Sequence, residues 1–76
     1  MNLLDRLPAL AKELVEVEAA LSDPATVSDQ RRFADLGRRH RDLAELVGAL
    51  QRLQRATDDL ATAREMLTEA DGDDRE

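Results

Sequence analysis

The chain has no cysteine, no tryptophan and no tyrosine, and a single phenylalanine, Phe33, stands among its 76 residues. Without cysteine, disulfides and thiolate metal sites are excluded, and redox usage says nothing of compartment. With one aromatic, a core has to be built from leucine and alanine, which suits helix-on-helix packing and offers little to line a ligand pocket. No apolar run approaches the roughly 18 residues needed to cross a bilayer, and no basic segment followed by an apolar one opens the chain. Neither a membrane span nor a secretion signal is therefore read. Positive charge is also short: 11 basic against 17 acidic residues leave a net charge of −6, which argues against nucleic acid wrapping around the domain as a whole.

What is present is leucine at helical spacing. Leu, Val and Phe number 18 of 76, above the level at which a charged chain stays disordered. Leu3, Leu7, Leu10, Leu14, Val17 and Leu21 follow one another at alternating steps of four and three, the pattern of an amphipathic helix with a narrow apolar seam. Pro8 fits this helix if Asp5 is the N-cap, because the proline then falls in the first turn, where amides are unbonded anyway. Lys12, Glu13, Glu16 and Glu18 form the opposite, solvated face.

Asp23-Pro24 stops that helix, since proline lacks an amide hydrogen and disfavours helical geometry in the residue before it. Ser28-Asp29 starts the next, through a side-chain oxygen that accepts from an orphan amide of the first turn. Phe33, Leu36, His40 and Leu43 keep the alternation. The leucines beyond them (Leu46, Leu50, Leu53, then Thr57, Leu60, Arg64 and Leu67) require two consecutive steps of three at Leu43. Continuing the earlier phase instead would put Gln54, Ala61 and Thr68 on the seam. Such a slip overwinds a coiled coil locally, and Gly48 weakens the helix just beyond it. The expectation is an all-α antiparallel helical hairpin or three-helix bundle, with helices over about 5–22, 28–43 and 45–69 and a kink near 44–48. Residues 1–70 form the helical domain and 71–76 an acidic tail, with fraying from about Ala70. The first helix is too short to cover the others, so part of the distal seam is expected to lie exposed and to lack a partner segment.

Chemistry is sparse. His40 is the only histidine, and its place on the seam reads as packing rather than as a base or ligand. No glycine-rich phosphate cradle, metal constellation or cofactor motif is visible, and the chain reads as a non-enzyme with no cofactor and no small-molecule ligand. Met66 reads as core filler. Asp35 with Arg39 and Arg38 with Asp42 read as surface pairs at i, i+4. The one local charge anomaly is the run of five arginines between Arg31 and Arg41. At about 100° per residue, Arg31, Arg38 and Arg41 share one outer side, a candidate patch for an acidic protein surface or RNA phosphate.

The stretch LSDPATVSDQRRFADL also resembles the amino-terminal helical domain of bacterial class I peptide chain release factors, the release factor 1 branch above all. Leu21-Ser22-Asp23-Pro24, Ser28-Asp29-Gln30, Arg32-Phe33 and Leu36 carry the resemblance, with Asp59-Leu60, Ala63 and Met66-Leu67 at the family's spacing downstream. It covers roughly 14–76. The resemblance implies a cytoplasmic protein of translation termination whose first domain leans towards the stalk base of the large ribosomal subunit. It also implies a downstream helix in the parent chain that completes the bundle. The family's stop-codon-reading tripeptide and Gly-Gly-Gln hydrolysis motif belong to later domains and do not occur here, so no catalytic residue carries over and the chain reads as a fragment. Glu45 departs from the helix-starting Pro or Asp of many relatives, which weakens the case for a clean break there. Set against this stands a free-standing coiled-coil-like module that self-associates through its leucine seam; an RNA-binding helix is a third reading.

Overall fold

The computed structural model describes residues 2–73, with side chains through Ala70. A 3-10 turn, Leu3–Arg6, leads into helix α1, Leu7–Leu21. A single helical turn, α2 (Pro24–Val27), follows, and then one helix, α3, runs from Gln30 to Asp73. There are no strands among the described residues. The all-α hairpin is as the sequence implied, and its principal axes measure 72 × 22 × 14 Å.

The entry to α1 differs in detail from the expected one. Asn2, not Asp5, is the first cap: its side chain accepts from the Leu4 amide at 3.1 Å, while the Asp5 carboxylate accepts from the Asn2 amide at 3.4 Å. This reciprocal capping box closes the 3-10 turn and leaves Leu3 58% exposed, outside the seam. Pro8 sits in the first turn of α1, where its missing donor costs nothing.

The corner between the long helices contains two starts. After α1 ends at Leu21 with Ser22 as its C-cap, Asp23 takes an extended backbone and its carboxylate accepts from the Ala25 amide at 2.9 Å. Pro24 is thus both the end of one helix and the first residue of another. Asp29 then caps α3, accepting from the Arg32 amide at 3.1 Å, while the Ser28 hydroxyl donates back to the Ala25 carbonyl. Thr26 is buried under this corner. No described residue needs a positive φ to turn it.

The largest departure is in α3. The kink expected near 44–48 and the division into helices over about 28–43 and 45–69 are not found; the helix passes through Gly48 unbroken and its backbone continues beyond Ala70 to Asp73. The reason lies in the seam. The buried residues Leu43, Val47 and Leu50, with half-buried Leu36, His40 and Gln54, recur at steps of four and three without a slip. The earlier phase is kept, and Val47 fills the position that Leu46 was expected to hold. Because the phase holds, nothing overwinds the helix. One glycine then costs about 1 kcal/mol, too little to break a helix held against a partner.

α1 packs antiparallel along this seam: Leu7 lies by Gln51 and Gln54, and Glu18 reaches towards His40. The core comprises Val17 of α1 and Leu43, Val47 and Leu50 of α3, with Leu7, Leu10, Leu14 and Leu21 of α1 half-buried along the same seam. Each fully buried side chain of this kind contributes roughly 1.5–3 kcal/mol. The rest of the expected acidic tail, 74–76, lies outside the described residues.

Candidate interaction surfaces

Two surfaces remain once α1 and α3 are paired. The first is the arginine-rich first third of α3. Asp29 fixes where the helix starts and so which way each arginine faces. Arg31, Arg38 and Arg41 are all exposed on the side away from α1, as the spacing implied. They are not equivalent. Arg38 is bonded to Asp35 one turn earlier, whereas Arg31 and Arg41 make no ion pair among the described residues. Neither i, i+4 pair expected from the sequence forms. Arg39 instead crosses to α1, where its Nε donates to Glu13 Oε1 at 3.1 Å and its Nη2 bonds to the same oxygen. Glu13, read from the sequence as part of a solvated face, is half-buried by this bridge. Both side chains keep substantial exposure, 53% and 38%, so the pair orients the helices more than it stabilises them.

A shallow open depression beside this bridge is lined by Asp29, Arg31, Arg32, Asp35, Leu36 and Arg39. Its mixed signs suit a charged, polar partner surface. His40 is half-exposed, with Nε2 3.9 Å from Glu18 Oε2, so it lies at the rim of the packed seam. Among the described residues no group of three or more His, Cys, Asp or Glu is placed to hold a metal ion. What the arginine surface can offer is charge and hydrogen bonding.

The second surface is apolar. α1 spans about 22 Å at 1.5 Å per residue, and α3 outruns it by far. From Arg55 to Ala70 no residue of α3 is even half-buried. Leu53, Leu60, Met66 and Leu67 are 44, 52, 64 and 65% exposed. Met66 is therefore not core filler. The exposed distal seam was expected; its position, rotated from the packed seam by roughly a quarter-turn at about 100° per residue, was not. Val47 is the signal that was missed, since its burial beside exposed Leu46, like that of half-buried Gln54 beside exposed Leu53, distinguishes the two phases within the hairpin.

The PCRF domain family model matches residues 10–76. Among proteins similar to the chain are peptide chain release factor 1 of Pelobacter propionicus and of Streptococcus thermophilus. The first is 39% identical over 69 residues, 91% of this chain and 20% of the relative. The second is 37% identical over 73 residues, 96% of this chain and 20% of the relative. Peptide chain release factor 1 of Thermus thermophilus is 35% identical over 65 residues, covering 86% of this chain and 18% of its own length. The chain thus spans about a fifth of the length of these relatives. No solved structure matches it.

Proposed function

Because the chain belongs to the PCRF domain family, we propose that it is an accessory, ribosome-contacting helical module of translation termination that performs no chemical step itself. The observation that carries this reading is the match over residues 10–76 together with relatives that are peptide chain release factors. On this reading the module works in the cytoplasm and docks at the stalk base of the large subunit. Arg31 and Arg41, which make no ion pair among the described residues, are the cations it presents there, and Arg38 is an auxiliary one. Gly-Gly-Gln does not occur in the 76 residues, which supports assigning the hydrolysis to other domains of a longer factor. In such a factor the exposed distal face of α3 is available to a downstream helix of the same polypeptide.

The test is co-sedimentation of the chain with ribosomes holding a stop codon in the decoding site. Binding without release of the nascent peptide is expected, and replacing Arg31, Arg38 and Arg41 by alanine should weaken it at least tenfold. Failure to bind at tens of micromolar, or peptide release by the chain alone, would refute the proposal. One observation favours a second reading, self-association: the distal half of α3 keeps its leucines in water.

A further inference from the structure

Phe33 does not take the seam position that its spacing gave it. It is 43% exposed, because the packed seam of α3 begins one turn later, at half-buried Leu36. The only aromatic of the chain therefore stands on the outer surface, with the arginines. At about 100° per residue, Phe33 lies along one edge of that surface, and Arg41, Arg38 and Arg31 lie about 80–160° round the helix from it. Between the edges are exposed Ala34 and, at Gly37, a position where a Cβ would meet nothing within 4 Å. The result is a shallow trough with an aromatic wall, a floor without bulk and a cationic wall. It runs about 16 Å from Gln30 to Arg41 at 1.5 Å per residue. α1 leaves it open, because α1 packs on the side of α3 marked by Leu43, Val47 and Leu50.

We infer that this trough takes an unpaired stretch of RNA, with one base stacked on the Phe33 ring and the adjoining phosphates on Arg31, Arg38 and Arg41. The inference rests on the ribosome-binding reading and names the chemistry of the partner. Unpaired RNA is held by splaying a base onto an aromatic side chain or guanidinium plane, and one ring suffices because every base has a π-face. A protein partner asks for more, since the centre of a protein interface is a desolvated apolar cluster. Here a single ring faces arginines across a floor of small residues. Arg31 and Arg41 make no ion pair among the described residues, and the Arg38–Asp35 pair is exposed on both sides, at 68% and 58%, so it is weak enough to give way to a phosphate. The net charge of −6 does not oppose this locally. Residues 30–41 hold five arginines against one aspartate, and Asp42 and Glu45 just beyond are matched by Arg52 and Arg55. The acidic excess of α3 begins only at Asp58, about 26 Å from Arg41 along the helix, several times the screening length of about 8 Å at physiological salt.

Since the chain has no tryptophan, Phe33→Trp gives a single reporter on the aromatic wall. The experiment is titration of the 76-residue chain with a hairpin RNA carrying an unpaired adenine loop, and with a blunt duplex of the same stem. Binding of the loop RNA is expected at about 1–100 µM in low salt, with quenching of the Phe33→Trp emission that the duplex does not produce. Phe33→Leu, which keeps an apolar side chain and should keep the helical circular dichroism, should weaken loop binding about tenfold. Replacing Arg31 and Arg41 together by alanine should lower the salt slope by about 2. Equal affinity for loop and duplex, or full affinity in Phe33→Leu, would leave charge alone and overturn the stacking platform. No binding of the loop RNA at a chain concentration on the order of 1 mM would overturn the inference outright. If the chain then still co-sediments with ribosomes through its arginines, the docking reading stands and the trough faces an acidic protein surface; if it does not, both fall.

Discussion

Two pairs of leucines on α3 test the phase of the seam with the same chemical change. Leu43 and Leu50 are each 2% exposed, while Leu46 and Leu53, three residues further along in each case, are 42% and 44% exposed. Leucine to alanine removes three carbons, about 2.4 kcal/mol of transfer free energy at full burial. A residual cavity adds to this, although an interface between two helices is open at its sides and collapses readily, so the low end of the observed 2–5 kcal/mol applies. Leu50→Ala should therefore cost about 2.5–3 kcal/mol. At Leu53 little more than half of the transfer term is present, no cavity forms, and alanine is the better helix former, so the cost should be about 1 kcal/mol. A single core of this size supplies no more than about 3–5 kcal/mol in total. With a urea m-value near 1 kcal/mol/M, the midpoint should fall by about 2.5 M for Leu50→Ala and about 1 M for Leu53→Ala. The same contrast should hold between Leu43→Ala and Leu46→Ala. The assay is urea unfolding followed by far-ultraviolet circular dichroism, at a concentration low enough for the midpoint not to depend on it. Equal shifts within either pair, or larger ones at Leu46 and Leu53, would mean that the hairpin is packed in the other phase and that Val47 is not a core residue.

Two further predictions concern the backbone. A Cβ at Gly37 would meet nothing within 4 Å, and one at Gly48 only the Arg52 guanidinium at 3.5 Å, so Gly37→Ala and Gly48→Ala should each stabilise the chain by roughly 0.5–1 kcal/mol; a loss at Gly48 in thermal or urea unfolding would show that the helix needs its glycine. Asp23→Ala and Asp29→Ala should each cost about 1 kcal/mol by removing a cap, whereas Ser28→Ala should cost less, and the ranking can be read from the same unfolding curves.

The fold was legible where one periodicity met one punctuation mark. The alternation from Leu7 to Leu21, the Asp23-Pro24 stop and the Asp29 start are local chemistry, and each does in the structure what local chemistry demands. The second half of the chain was harder for a physical reason: α3 carries two apolar stripes, and both are regular. The richer one, from Leu46 through Leu67, draws the eye by its leucines, but α1 is anchored by the corner at Asp23–Asp29 and meets the helix in the phase set by Leu36. Which stripe is buried is decided by that anchor, at a distance, and the weaker marks of the true phase were Val47 and the polar Gln54. The arginine surface was placed correctly on its outer side. Its pairing was not, because Arg39 found Glu13 across the hairpin, a contact that no spacing along one helix encodes.

The unequal length of the two arms has a consequence for how order is distributed along α3. From Arg55 to Ala70 the helix is held by hydrogen bonds within itself, over about as many residues as an isolated helix needs to be marginally populated in water. Upstream, the same ladder is shielded by Val17, Leu43, Val47 and Leu50. Amide protection should therefore fall along the helix in two levels rather than decline evenly, with the proximal half opening only when the hairpin opens and the distal half opening on its own. Completing the distal helix and engaging whatever docks on it then become one thermodynamic event, so affinity at that face is set in part by helix propensity at positions that touch nothing.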